Sequence, residues 1–137
     1  MRVILDTNVL ISRIFFSGPP SEILKSWRSG DIQLVLSSEI ADEYVKVARI
    51  LANDFPGIAI NSILTLVLTN SEIIQAPAIP HQVCEDPDDK FLACALASKC
   101  KVIISGNEHL LKLSGYQGIS ILTPRAFIGK YLSKSNT

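Results

Sequence analysis

Short runs of β-branched residues and leucine alternate along this chain with longer segments of helical periodicity, and that alternation narrows the fold more than any other feature. The runs fall at residues 3–5, 34–36, 73–74, 102–104 and 119–121. All but the last, Ile119-Ser120-Ile121, are apolar at successive positions, so both faces of the strand need covering, as in a parallel sheet flanked by helices. Strand followed by helix followed by strand is joined by right-handed crossovers. The expectation is an α/β chain: a three-layer α/β/α sandwich around a central, mostly parallel sheet of about five strands.

The helices are delimited by their caps. Ser21 opens a pattern carrying Ile23, Leu24 and Trp27, and Gly30 ends it. Ser38 precedes an apolar face of Ile40, Ala41, Tyr44, Val45 and Ala48 that runs to about residue 51. The turn Asn53-Asp54-Phe55-Pro56-Gly57 separates it from a very apolar stretch at 58–68. A small-residue helix starts at Asp88 or Asp89, Asn107 caps a short helix through Leu113, and Pro124 opens a last one at the first-turn position proline favours. No repeat or linker interrupts the pattern, so residues 1–130 read as one domain and 131–137 as a polar tail.

Thirteen basic residues balance thirteen acidic ones, so no global field draws in a polyanion, and a local patch must do so. Three cysteines, Cys84, Cys94 and Cys100, form neither an even set nor a CxxC pair. Cys94 and Cys100, in apolar or helix-ending surroundings, read as small hydrophobes, and a reduced, cytoplasmic setting fits the set. The apolar run at the N-terminus stops at Asp6, and no apolar stretch approaches the roughly 18 residues of a membrane span, so no membrane association is expected.

The chemistry signal is where the acids fall. Asp6 stands at the carboxyl end of the first strand, where ligands of open parallel sheets gather. An acid there must be solvated, paired or bound to a cation; it also suits the N-cap of a helix starting at Thr7, and the two roles are compatible. Asp86-Pro87-Asp88-Asp89 puts three acids in four residues before a helix. One cap does not need three carboxylates, and a hard divalent cation relieves their repulsion. Asp86 and Asp88 fit the turn, and Asp89 points from the first helical turn toward the strand ends. Glu43, taken alone, reads as an ordinary surface residue.

These residues also resemble a known family. Leu5-Asp6-Thr7-Asn8-Val9-Leu10-Ile11-Ser12, Gly18-Pro19-Pro20, Leu36-Ser37-Ser38-Glu39-Ile40 with Glu43, and Asp86-Pro87-Asp88-Asp89-Lys90-Phe91-Leu92-Ala93 are similar to the successive motifs of PIN domains. Within that family they resemble the VapC-like ribonucleases, toxin components of bacterial toxin–antitoxin pairs. The resemblance spans about residues 2–128. It implies an endoribonuclease acting on single-stranded RNA with one or two Mg²⁺ or Mn²⁺ ions, an antitoxin partner protein, and a homodimer. By motif, Asp6, Glu43 and Asp89 take the places of the first three acids, Thr7 and Asn8 support them, and Ser105 matches the small hydroxyl residue after the fourth strand.

The departure is in Ser105-Gly106-Asn107-Glu108-His109. Family members carry an Asp where Asn107 stands. Asn still offers a neutral oxygen to Mg²⁺, so Asn107 is kept as a metal ligand, with one negative charge lost. His109 is either a phosphate contact or late proton donor, or else a surface helix residue, and His81 has no motif support. Lys46, Arg49, Lys90 and Arg13 are the candidate phosphate contacts, and each equally suits a solvated surface. The rival reading keeps the fold and drops the reaction, leaving an RNA- or protein-binding module. A haloacid-dehalogenase-type phosphatase needs a second Asp where Asn8 stands, a receiver domain needs an acid pair at the first strand, and no GxGxxG suggests a dinucleotide. The apolar 58–68 stretch is the candidate buried or dimer-forming surface.

Overall fold

The computed structural model describes residues 1–16, 22–75 and 89–132. Its elements in order are β1 (Arg2–Leu5), α1 (Thr7–Leu10) continuing into a wider helical turn (Ile11–Phe15), α2 (Glu22–Ser29), β2 (Gln33–Ser37), α3 (Ser38–Asp54), α4 (Ile60–Thr69) and β3 (Glu72–Ile74). There follow α5 (Asp89–Ser98), β4 (Val102–Ile104), α6 (Glu108–Leu111), β5 (Ser120–Leu122) and α7 (Pro124–Phe127). The fold is the expected α/β sandwich. Its five strands lie in the order β3-β2-β1-β4-β5, and every pairing is parallel.

The strands form where β-branched and leucine side chains have both faces covered. Val3, Ile4 and Leu5 of β1 and Ile103 and Ile104 of β4 are all buried. Helical side chains close over them, among them Ile23, Ile40, Tyr44, Phe91, Leu92, Leu110 and Phe127. The chain enters the left-handed region at Gly30 (φ 85°), which ends α2 as its Gly predicts.

Several boundaries moved for identifiable reasons. The cap of α3 is Ser37, not Ser38: the Ser37 hydroxyl accepts from Ile40 N at 3.3 Å. Ser37 is at the same time the last paired residue of β2, opposite Ile74. The α3 helix continues to Asp54 because the breaking signal belongs to Pro56, which bars the residue before it from helical backbone; Phe55 accordingly sits at φ −132°, ψ 67°. β5 lies one residue later than expected, and α6 ends two residues earlier. Asn107 caps its helix as expected, accepting from His109 N at 2.8 Å, and Thr123, ahead of Pro124, caps α7 by accepting from Ala126 N at 3.1 Å.

The apolar stretch at 58–68 spends most of its surface inside. Ile60 and Val67 are buried, and Ile58, Ile63, Leu64 and Leu68 pack against the core, leaving Leu66 as its exposed large side chain at 52%. Its hydrophobicity is therefore accounted for by α4 lying on the domain. Among the described residues no helix is long and apolar enough to cross a membrane.

Cys94 and Cys100 are free and buried, as their apolar surroundings led one to expect; Cys84 lies outside the described residues. Burial, with a smaller contribution from the nearby Cys100, pushes the Cys94 thiol up to about 12. An unfolded chain releases that proton from about pH 9 onward, whereas the folded one retains it. Stability from this group is complete below pH 9 and is lost as pH rises toward 12. Urea midpoints measured from pH 8 to pH 11 should fall steadily, and Cys94→Ala should flatten that decline.

Candidate active site

The strand order fixes where a site can form. From β1 the chain builds outward through β2 to β3, then returns across the sheet to place β4 and β5 on the other side of β1. In open α/β sheets such a reversal marks the crevice that ligands take, here at the carboxyl ends of β1 and β4. Asp6 follows β1 and Ser105 follows β4, so the two residues flank it.

Backbone and side chain both tie them together. Asp6 N donates to Ile104 O at 3.0 Å, and the Ser105 hydroxyl donates to Asp6 Oδ2 at 2.6 Å. Asn107 N in turn donates to Ser105 Oγ at 2.9 Å, which orients the hydroxyl toward the acid. Asp6 is only 6% exposed. It stands at the N-cap position of α1, but its side chain makes no capping hydrogen bond. The backbone oxygen of Asp6 takes Val9 N and Leu10 N at 3.0 Å each. The capping explanation therefore does not account for the carboxylate, which turns to Ser105 at the end of β4.

Helix α3 grips the same place with consecutive residues. The Tyr44 hydroxyl donates to Leu5 O, and the Thr7 hydroxyl donates to the Glu43 carboxylate. Side chains about 100° apart on a helix thus straddle the end of β1. Tyr44 is buried, and burial together with the negative Asp6 holds its hydroxyl well above the usual tyrosine range, so it stays a donor. The sequence placed Tyr44 only on an apolar face. A buried tyrosine must still find its hydroxyl a partner, and that rule was the available clue.

Glu43 is no surface acid. Besides Thr7 it meets Lys90, whose Nζ lies 2.9 Å from Oε1, with the lysine side chain 10% exposed. The Lys90 ammonium also lies 5.6 Å from the centre of the Phe91 ring. Asp89, half-buried, is the first residue of α5 and the chain neighbour of Lys90. Lys46 and Arg49 are exposed on α3, Arg13 is half-buried beyond α1, and Asn8 and His109 are exposed. The Asn107 side-chain oxygen accepts from His109 N. Asp86, Asp88, His81 and the Gly18-Pro19-Pro20 motif lie outside the described residues.

Among the described residues no three His, Cys, Asp or Glu side chains stand close enough together to hold one metal ion. What the crevice does contain suits a hard divalent cation in kind: carboxylate, hydroxyl and amide oxygens, with no sulfur or imidazole among them. A cation already occupies part of this environment, since the Lys90 ammonium sits against Glu43. A separate cavity of about 330 Å³, lined by residues including Trp27, Arg28, Gln33 and Asn70, lies at the opposite, amino-terminal end of β2.

No curated protein matches this sequence. Among solved structures, the chain is similar to one described as VapBC2 from Rickettsia felis bound to a DNA fragment from their promoter. The two share 15% identity at a TM-score of 0.61, over 88% of this chain and 97% of that one. The likeness is one of fold. The family model for the PIN domain matches residues 2–109, from the start of β1 to α6. With most of the chain matched, including Asp6, Glu43, Asp89 and Ser105, the protein belongs to the PIN-domain family.

Proposed function

We propose that this PIN domain is a metal-dependent endoribonuclease that hydrolyses single-stranded RNA, working as the toxin of a toxin–antitoxin pair. The observation that carries the reading is Asp6: a carboxylate 6% exposed at the strand-order reversal, not used as a cap. Nothing in core packing requires a charge there, and burying one is costly without a cationic partner. In this reading Asp6, Glu43 and Asp89, which do not form a ready three-acid cluster, draw together around Mg²⁺ or Mn²⁺, with Asn107 offering a neutral oxygen. Such an ion, when bound, activates a water for attack on phosphorus and stabilises the developing charge.

The protein's own residues set the stage for that chemistry. Ser105 holds one oxygen of Asp6 in place, and Asn107 N holds Ser105. Thr7 and Tyr44 lock α3 to the end of β1, which keeps Glu43 beside the residue after Asp6. Lys46, Arg49 and Arg13 supply positive charge for the RNA backbone. If these three meet phosphates, RNA affinity should fall with salt at a log–log slope near −2, at about −0.7 per contact on a single strand. Filter binding between 50 and 300 mM salt measures it, and a flat dependence would remove these cations from the interface.

The central test is cleavage of end-labelled single-stranded RNA with Mn²⁺, with EDTA, and by Glu43→Gln protein. Mn²⁺-dependent cleavage lost in the other two conditions is the expected outcome. Equal cleavage by the variant would sink the assignment.

A second reading, a PIN module that binds RNA or a partner without cutting, draws on the engagement of the Asn107 oxygen as a helix cap. Tight RNA retention with no Mn²⁺-dependent product would select it. The antitoxin partner rests on the resemblance to VapC-like chains and on the shared fold. A homodimer has less in its favour now that most of the apolar side chains of α4 pack against this domain's own core.

A further inference from the structure

Lys90 stands directly after Asp89 and carries a positive charge into the acid crevice. Its side chain is 10% exposed and its ammonium lies 2.9 Å from Glu43 Oε1, while Thr7 bonds the same carboxylate. The ammonium also lies near the Phe91 ring, whose electron-rich face attracts a cation. A lysine reaching out for phosphate would be solvated. This one is folded inward and desolvated, and a desolvated charge stays only where its partner holds it.

Resting on the metal-site reading above, we infer that Lys90 is a place-holding cation that the divalent ion must displace. Without metal, the ammonium balances Glu43 and keeps acids from repelling one another across the crevice. When the ion takes Glu43, the lysine loses that ion pair and is repelled by the new charge, so it moves outward. Metal binding is then an exchange of one cation for another, and affinity is set by the difference between them. The same motion brings the ammonium toward the rim where RNA phosphate arrives. One residue would thus restrain metal uptake and, once released, strengthen substrate binding.

The test is Mn²⁺ binding by the full chain, followed by the loss of the free-ion paramagnetic resonance signal. Lys90→Met keeps the aliphatic stem and removes the charge, so its Kd for Mn²⁺ should fall roughly tenfold, as expected when a desolvated competing cation is removed. Lys90→Arg retains the charge and should bind Mn²⁺ close to the wild-type value. A purely structural role would weaken binding in both variants. Tightening in Lys90→Met alone supports the exchange, including the case where wild type shows no binding in the accessible range. Equal or weaker binding by Lys90→Met, with wild type binding, overturns the exchange and leaves the metal site standing. No binding by any of the three proteins overturns both.

A second measurement needs no variant. Acylation of Lys90 in the wild-type chain by an amine-reactive ester, mapped by mass spectrometry, should accelerate several-fold at saturating Mg²⁺. An unchanged or slower reaction overturns the displacement.

Discussion

Asp6→Asn protein is expected to cleave single-stranded RNA at least about 10³-fold more slowly than the unsubstituted chain, a barrier increase of about 4 kcal/mol. The same protein should melt at an equal or slightly higher temperature. The substitution changes almost no volume, and an amide oxygen can still accept from the Ser105 hydroxyl. What it removes is a charge that the fold holds at 6% exposure. Folding is relieved of that desolvation, whereas cation binding loses its most enclosed ligand. Initial rates over a Mn²⁺ range, with a thermal melt of each protein, measure both halves. Activity within tenfold of wild type would show that any cleavage arises elsewhere.

The second large effect is structural. Phe91 is 1% exposed and belongs to the first turn of α5. Phe91→Ala should cost about 3–5 kcal/mol, the usual loss for an aromatic side chain emptied from a packed interior. Set against the 5–15 kcal/mol typical of a whole domain, that is a large share. The urea midpoint should drop by at least about 1 M with an unchanged slope. Because Asp89 and Lys90 sit on the same turn, Mn²⁺ affinity should fall in parallel, even where the variant remains folded. A shift below about 0.3 M would mean that α5 is anchored by its later residues, Leu92 to Ala95, instead.

How far the sequence could be read depended on whether a feature was local. Residues 3–5 and 102–104 declared themselves as buried strands because β-branched side chains in succession suit little else. Asp6 stood out for the matching reason, a charge ending such a run. Partnership across the sheet was not legible: nothing in either segment says that β1 lies against β4, yet that pairing brings Ser105 to Asp6. Glu43 looked like solvent-facing polarity, because a helix face does not announce what it docks on. Its bond to Thr7 follows from Tyr44 reaching Leu5, a contact made only once α3 is seated. Lys90 was read outward for the same reason, since a lysine's direction depends on which acid comes within reach. Two adjacent serines left the cap of α3 open by one residue, and strand pairing at Ser37 resolved it.

The bond between Ser105 and Asp6 joins residues 99 apart in the chain, and this distance matters while the protein is being made. Asp6 leaves the ribosome 99 residues ahead of Ser105 and lacks that hydrogen bond until β4 has emerged and threaded in beside β1. At about 5–20 residues per second, several seconds separate the two events. A growing chain therefore carries no assembled crevice next to the message that encodes it, and whatever chemistry the acids perform begins only after nearly the whole domain has been released.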